Sequence, residues 1–144
     1  MKGSHVQVAP INCTLSNLTI FTTAPHTEHP ETILHQHESF SLQVTVEFGG
    51  CGAIALVPLC LCIKVSFFAE PCGLGSKLEL GDTSVDTSAK LFTYTPTLAI
   101  ATPTSVGLVA EEIYQVTAVL RVGAANSPAL IIGFIDGLVI QTYA

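Results

Sequence analysis

From Phe40 to Phe48 the chain alternates strictly: Phe40, Leu42, Val44, Val46 and Phe48 are apolar, and Ser41, Gln43, Thr45 and Glu47 between them are polar. A period of two belongs to a β-strand with one face on a core and the other in water. The same period returns from Leu59 to Phe68, with Leu59, Leu61, Ile63, Val65 and Phe67 as the core face. It returns again from Ile113 to Val122, where Tyr114, Val116, Ala118, Leu120 and Val122 oppose Gln115, Thr117 and Arg121. No stretch keeps apolar residues at i, i+3, i+4 and i+7 over several turns, so no amphipathic helix is expected.

The remaining segments are less regular. Leu18 to Thr22 reads as a strand, and Ala53 to Val57, after the turn Gly49-Gly50-Cys51-Gly52, as a fully apolar strand that Pro58 ends or places at an edge. Lys77 to Leu80 reads as a short strand stopping at Gly81-Asp82. Lys90 to Thr95 is β-rich, and a Pro- and Thr-rich connection separates it from Ile113. Leu130 to Phe134 and Leu138 to Tyr143 read as a hairpin around Asp136-Gly137, a dipeptide suited to the φ > 0 positions of a tight turn. Roughly seven to nine short strands punctuated by Gly and Pro predict an all-β fold, an antiparallel β-sandwich of immunoglobulin-like or similar Greek-key form. Residues 1–39 are expected to form an N-terminal strand and a His-rich arm, with Pro25 to Glu38 as its loop. Residues 40–144 form the sandwich, the whole being one domain.

The phrase Val109-Ala110-Glu111-Glu112-Ile113-Tyr114-Gln115-Val116 resembles the penultimate strand of immunoglobulin-like sandwiches. That resemblance implies that the Tyr114 hydroxyl bonds back to the corner before the strand. The chain has no Trp and lacks the paired-cysteine spacing of antibody-type domains.

Composition adds a constraint on the surface. The chain is 144 residues long, 49% hydrophobic and only 11% charged, against about 25% charged in an ordinary soluble domain. Its mean hydropathy is +0.56. Such a chain is too apolar for disorder, and five basic residues against eleven acidic ones, net −6, argue against a nucleic-acid partner. The oiliest run, Ala53 to Ala69, falls short of the ~20 residues of a membrane-spanning helix and contains Pro58 and Lys64. Ala129 to Ile140 is shorter and contains Asp136. No transmembrane segment is expected. Met1 to Pro10 has no apolar stretch of the kind a secretory signal needs, so the expected setting is cytoplasmic, with non-classical export the remaining route out. Cys13, Cys51, Cys60, Cys62 and Cys72 are an odd set, expected to be reduced and mostly structural.

The densest candidate chemistry is His26, His29, His35 and His37, interleaved with Glu28, Glu31 and Glu38. Imidazole and carboxylate are ligands for zinc or another divalent transition metal, and His-x-His on a strand sends both rings to one side. A metal-binding or metal-sensing module is therefore the alternative function. His35-x-His37 is similar to the first metal motif of the cupin barrels, but Ser41 or Leu42 stands where a glutamate is required. No histidine follows His37. No Gly-x-Ser-x-Gly elbow and no phosphate-binding loop occurs, so neither a catalytic residue nor a cofactor is assigned and a non-enzymatic protein is expected.

Phe68, Ile113 and Val119 lie on the nominally polar faces of their strands. Apolar residues on both faces of a strand mean two-sided burial or association, and few basic residues are available to guard sheet edges. The expected partner is the chain itself, in a homo-oligomer or a larger filament or shell. Phe68, Ile113 and Val119 are the expected interface, and the arm is a candidate for strand addition to a neighbour.

Overall fold

The computed structural model describes residues 11–22, 32–124 and 129–144. Its strands are β1 (Asn12–Thr22), β2 (Ile33–His35), β3 (Phe40–Gly49), β4 (Cys62–Pro71), β5 (Leu78–Asp86), β6 (Thr93–Tyr94), β7 (Thr97–Ile100), β8 (Ile113–Gly123) and β9 (Ile131–Tyr143). One short helix, α1 (Ala53–Leu56), runs into a 3₁₀ turn at Val57–Leu59.

Two sheets face each other. The smaller is ordered β1-β3-β6, with β7 continuing the β6 edge along β3, and the larger is ordered β2-β9-β8-β4-β5. All pairings are antiparallel except that of β2, which runs parallel to β9. The chain changes sheets between β1 and β2, β2 and β3, β3 and β4, β5 and β6, and β7 and β8, which makes the fold a β-sandwich of immunoglobulin-like or similar Greek-key form. β1 and β2 both come from the segment before Phe40. β1 pairs with the chain's own β3 and β2 with its own β9.

The core lies where the period-two pattern placed it. Leu42, Val44 and Val46 of β3 face Ile63, Val65 and Phe67 of β4 and Val116 and Val122 of β8, all at 0% exposure. Each such side chain contributes about 1.5–3 kcal/mol by leaving water. Tyr114, only 3% exposed, accepts a hydrogen bond from the Val109 N–H at 2.9 Å. This is the corner contact that the immunoglobulin-like resemblance implied. Thr142 closes the same corner: its hydroxyl donates to the Val109 carbonyl at 2.6 Å, and its own carbonyl accepts from the Glu111 N–H at 2.7 Å.

Several segments differ from their sequence reading. Ala53 to Val57 is α1 and the start of the 3₁₀ turn, not a strand. It connects the two sheets, and Pro58 has no N–H for a ladder but suits the opening of a helical turn. Cys60, at φ 57°, ends the turn in a left-handed conformation, so β4 begins at Cys62 and Leu59 lies 64% exposed instead of in the core. The Pro- and Thr-rich connection contains β7. Pro96 interrupts the edge between β6 and β7 while its carbonyl accepts from the Val44 N–H at 3.2 Å, the position at which a sheet tolerates proline. β5 runs through Gly81-Asp82 to Asp86. The expected hairpin at Asp136-Gly137 is absent: β9 is one strand of 13 residues. Its register against β8 shifts between Val116 and Ala118, so Asp136 and Gly137 together stand opposite the single Thr117, with Gly137 at φ 99°. A bulge and a tight turn both use positive φ, and the dipeptide alone does not tell them apart.

Candidate interaction surface

The outer face of the larger sheet divides into two halves. Register places Ile132 of β9, Arg121 of β8, Lys64 of β4 and Ser84 of β5 in one row, and Phe134, Val119, Ser66 and Asp82 in the next. The β9 side of both rows is apolar and the β4–β5 side is charged or hydroxylated. Ile132 and Phe134 are 70% and 71% exposed, and Leu130, just before β9, is 67% exposed.

Phe68, Ile113 and Val119 all lie on this face. Phe68 is half-buried, with the Lys77 ammonium 4.3 Å from its ring centroid, so its own chain covers much of it. Val119 is half-buried between Phe134 and Ser66 in its row. Ile113, 43% exposed, lies at the far end of β8 near Val139, which is 50% exposed. The more exposed apolar groups, Leu130, Ile132 and Phe134, were missed by sequence reasoning. They sit in a run apolar at nearly every position, where alternation gives no sign of which residues face outward.

On the charged half, the Lys64 ammonium is 3.4 Å from an Asp82 carboxylate oxygen. A hydrogen bond from the buried Ser66 hydroxyl, aided by Lys64 and Arg121, holds the Asp82 carboxyl below the usual aspartate range. An open depression of about 370 Å³ beside them is lined by Ser66, Phe68, Glu79, Asp82 and Arg121, among others. The outer face of the smaller sheet is different again. It presents Thr14, Thr19, Thr45, Thr93 and Thr97 with Gln43, whose amide donates to the Thr97 hydroxyl at 2.8 Å, and Glu47 is its one ionisable group among the described residues.

A cleft of about 330 Å³ opens where β1 and β9 approach each other from opposite sheets, lined by Ile11, Cys13, Leu56, Leu130 and Ile131. Burial pushes the Cys13 thiol up, which favours its neutral form over the nucleophilic thiolate. All five cysteines are free, with Cys51, Cys60 and Cys72 exposed.

Of the expected metal ligands, His26 and His29 lie outside the described residues. His35 sits at the β2 edge with its ring centroid 5.2 Å from that of Tyr143 and 5.6 Å from that of His37. The His37 N–H donates to His35 Nδ1 at 3.2 Å. No group of three or more His, Cys, Asp or Glu suited to a metal occurs among the described residues. No helix among them is long and apolar enough to cross a membrane.

No family model and no curated protein matches the chain. Among solved structures it is similar to a β-glucosidase from Listeria innocua in complex with glucose, at TM-score 0.43 and 10% identity, over 94% of this chain and 16% of that one. The chain thus spans about a sixth of that enzyme's length, and a likeness at this level carries no argument about activity.

Proposed function

We propose that this chain is a non-enzymatic structural or interaction protein, a β-sandwich that self-associates into a homo-oligomer or larger assembly through the β9 side of its five-stranded sheet. The observation that carries this reading is the apolar group Leu130, Ile132 and Phe134, each about seven-tenths exposed. At roughly 400 Å² together they match the largest apolar patch of an ordinary monomer, a size that often marks a functional contact. At roughly 130 Å² apiece and about 25 cal/mol per Å², each residue is worth about 3 kcal/mol of gross transfer free energy. Flanking this patch, Arg121, Lys64, Glu79 and Asp82 give the face both signs of charge, the polar rim of a self-complementary contact.

Sedimentation velocity across a wide concentration range tests the reading. The expected result is a concentration-dependent oligomer that Phe134→Asp dissociates. A monodisperse monomer at every concentration overturns it. An assembly that disappears with chelator and returns with zinc also overturns it, and assigns association to the histidines instead.

A further inference from the structure

β9 borders the five-stranded sheet along most of its length. β8 pairs with one side of it from Ile131 to Gln141, whereas β2 joins the other side only from Gln141 to Tyr143. Among the described residues, no strand pairs with that other side between Ile131 and Ile140. β1 belongs to the opposite sheet and packs close beside β9 without pairing with it, and near Ile131 the apolar cleft opens between the two strands.

An unpaired edge offers its backbone N–H and C=O groups to another strand, and soluble proteins guard such edges with lysine, proline, an inward charge or a bulge. Ile131-Ile132-Gly133-Phe134-Ile135 has none of these; Asp136 and the bulge come only after it. The segment is also nearly symmetric about its glycine. If two copies pair antiparallel with Gly133 at the centre, Ile131 stands opposite Ile135, Ile132 opposite Phe134, and Gly133 opposite Gly133 of the second copy. A two-fold contact requires this self-complementarity. On the outer face it brings the exposed Ile132 and Phe134 of both copies into aromatic and β-branched cross-strand pairs, a favourable combination. On the inner face the centre is uncrowded, since a Cβ at Gly133 would meet nothing within 4 Å.

We infer, as the contact behind the self-association proposed above, that the first half of β9 pairs antiparallel with the same segment of a second copy, centred on Gly133. The pairing joins the two five-stranded sheets into one continuous sheet. It places the apolar patches side by side and leaves the charged β4–β5 halves at its two far ends.

Two variants at the centre test this. Opposed residues of an antiparallel pair have Cα atoms about 4.5–5.5 Å apart, within disulfide reach, so Gly133→Cys in full-length protein should form a dimer on mild oxidation that reductant reverses. Its yield should exceed several-fold both the background from the five native cysteines and the yield of Val139→Cys on the same strand. Gly133→Lys has open space at its Cβ in the monomer and, in the pairing, sets two lysine side chains opposite each other at the two-fold axis. The expected result is an unchanged circular dichroism spectrum and thermal midpoint at low concentration, with at least tenfold weaker self-association. Background-level crosslinking of Gly133→Cys together with undiminished association of Gly133→Lys overturns the edge pairing. If Phe134→Asp still dissociates the protein, the face reading survives that result; a wild-type protein that is monomeric at every concentration overturns both.

Discussion

Replacing Tyr114 by Phe removes one oxygen from the interior and tests how the sandwich is closed at its β8–β9 end. The ring is retained, so the apolar burial of a residue only 3% exposed is unchanged. What disappears is the acceptor for the Val109 N–H, bonded to the hydroxyl at 2.9 Å. A fully buried donor left without a partner costs about 1–3 kcal/mol. Val109 itself is 57% exposed, so water reaches part of this corner and the lower part of that range applies, about 1–2 kcal/mol. With a urea m-value of about 2 kcal/mol per M, the unfolding midpoint should fall by about 0.5–1 M with the slope unchanged. Thr142→Val removes the bond from its hydroxyl to the carbonyl of the same residue, Val109, at 2.6 Å. Because both partners hold one residue, their effects should couple by at least about 0.5 kcal/mol in a double-mutant cycle. Urea titrations by circular dichroism at a concentration below that of self-association measure all four proteins. A Tyr114→Phe midpoint within about 0.2 M of wild type, or strict additivity with Thr142→Val, would refute the view that the corner is a single stabilising unit.

Phe67→Ala should cost about 3–5 kcal/mol, because the ring is at 0% exposure between the sheets, and thermal or urea unfolding will show it. The Asp82 carboxyl, held low by Ser66, Lys64 and Arg121, adds stability that is present above the ordinary aspartate pKa and is lost as pH falls through the folded value. Its side chain is 53% exposed, so the amount is at most about 1 kcal/mol; NMR titration should place the carboxyl below the usual range and Lys64→Met should move it upward. Cys13, with its thiol pushed up by burial, should alkylate more slowly at mildly alkaline pH than the exposed Cys51 and Cys72. Peptide mass spectrometry after timed iodoacetamide treatment measures the order, and equal rates at all three would contradict the burial.

The period-two runs at Phe40–Phe48, Leu61–Phe67 and Tyr114–Val122 were legible because one face of each strand is buried and the other wet, so burial is written into alternation. The Tyr114 corner was legible only through the resemblance to immunoglobulin-like strands, which implies a tyrosine hydroxyl bonded back to the corner before its strand. The Ala53–Val57 and Leu130–Tyr143 runs were not. An apolar residue there is compatible with core, turn or interface, and local sequence does not choose among them. Thus the chain by itself determined a two-layer β fold and the part of its core that the three alternating runs supply, apart from Leu59. Tertiary structure alone decided that Asp136-Gly137 is a bulge in one long strand, that Ile132 and Phe134 face outward beside Val119, and that β9 has an unpaired edge among the described residues. The physical reason is that pairing register and sheet order arise from contacts between residues far apart in the chain, and those contacts fix which side of an apolar strand meets water.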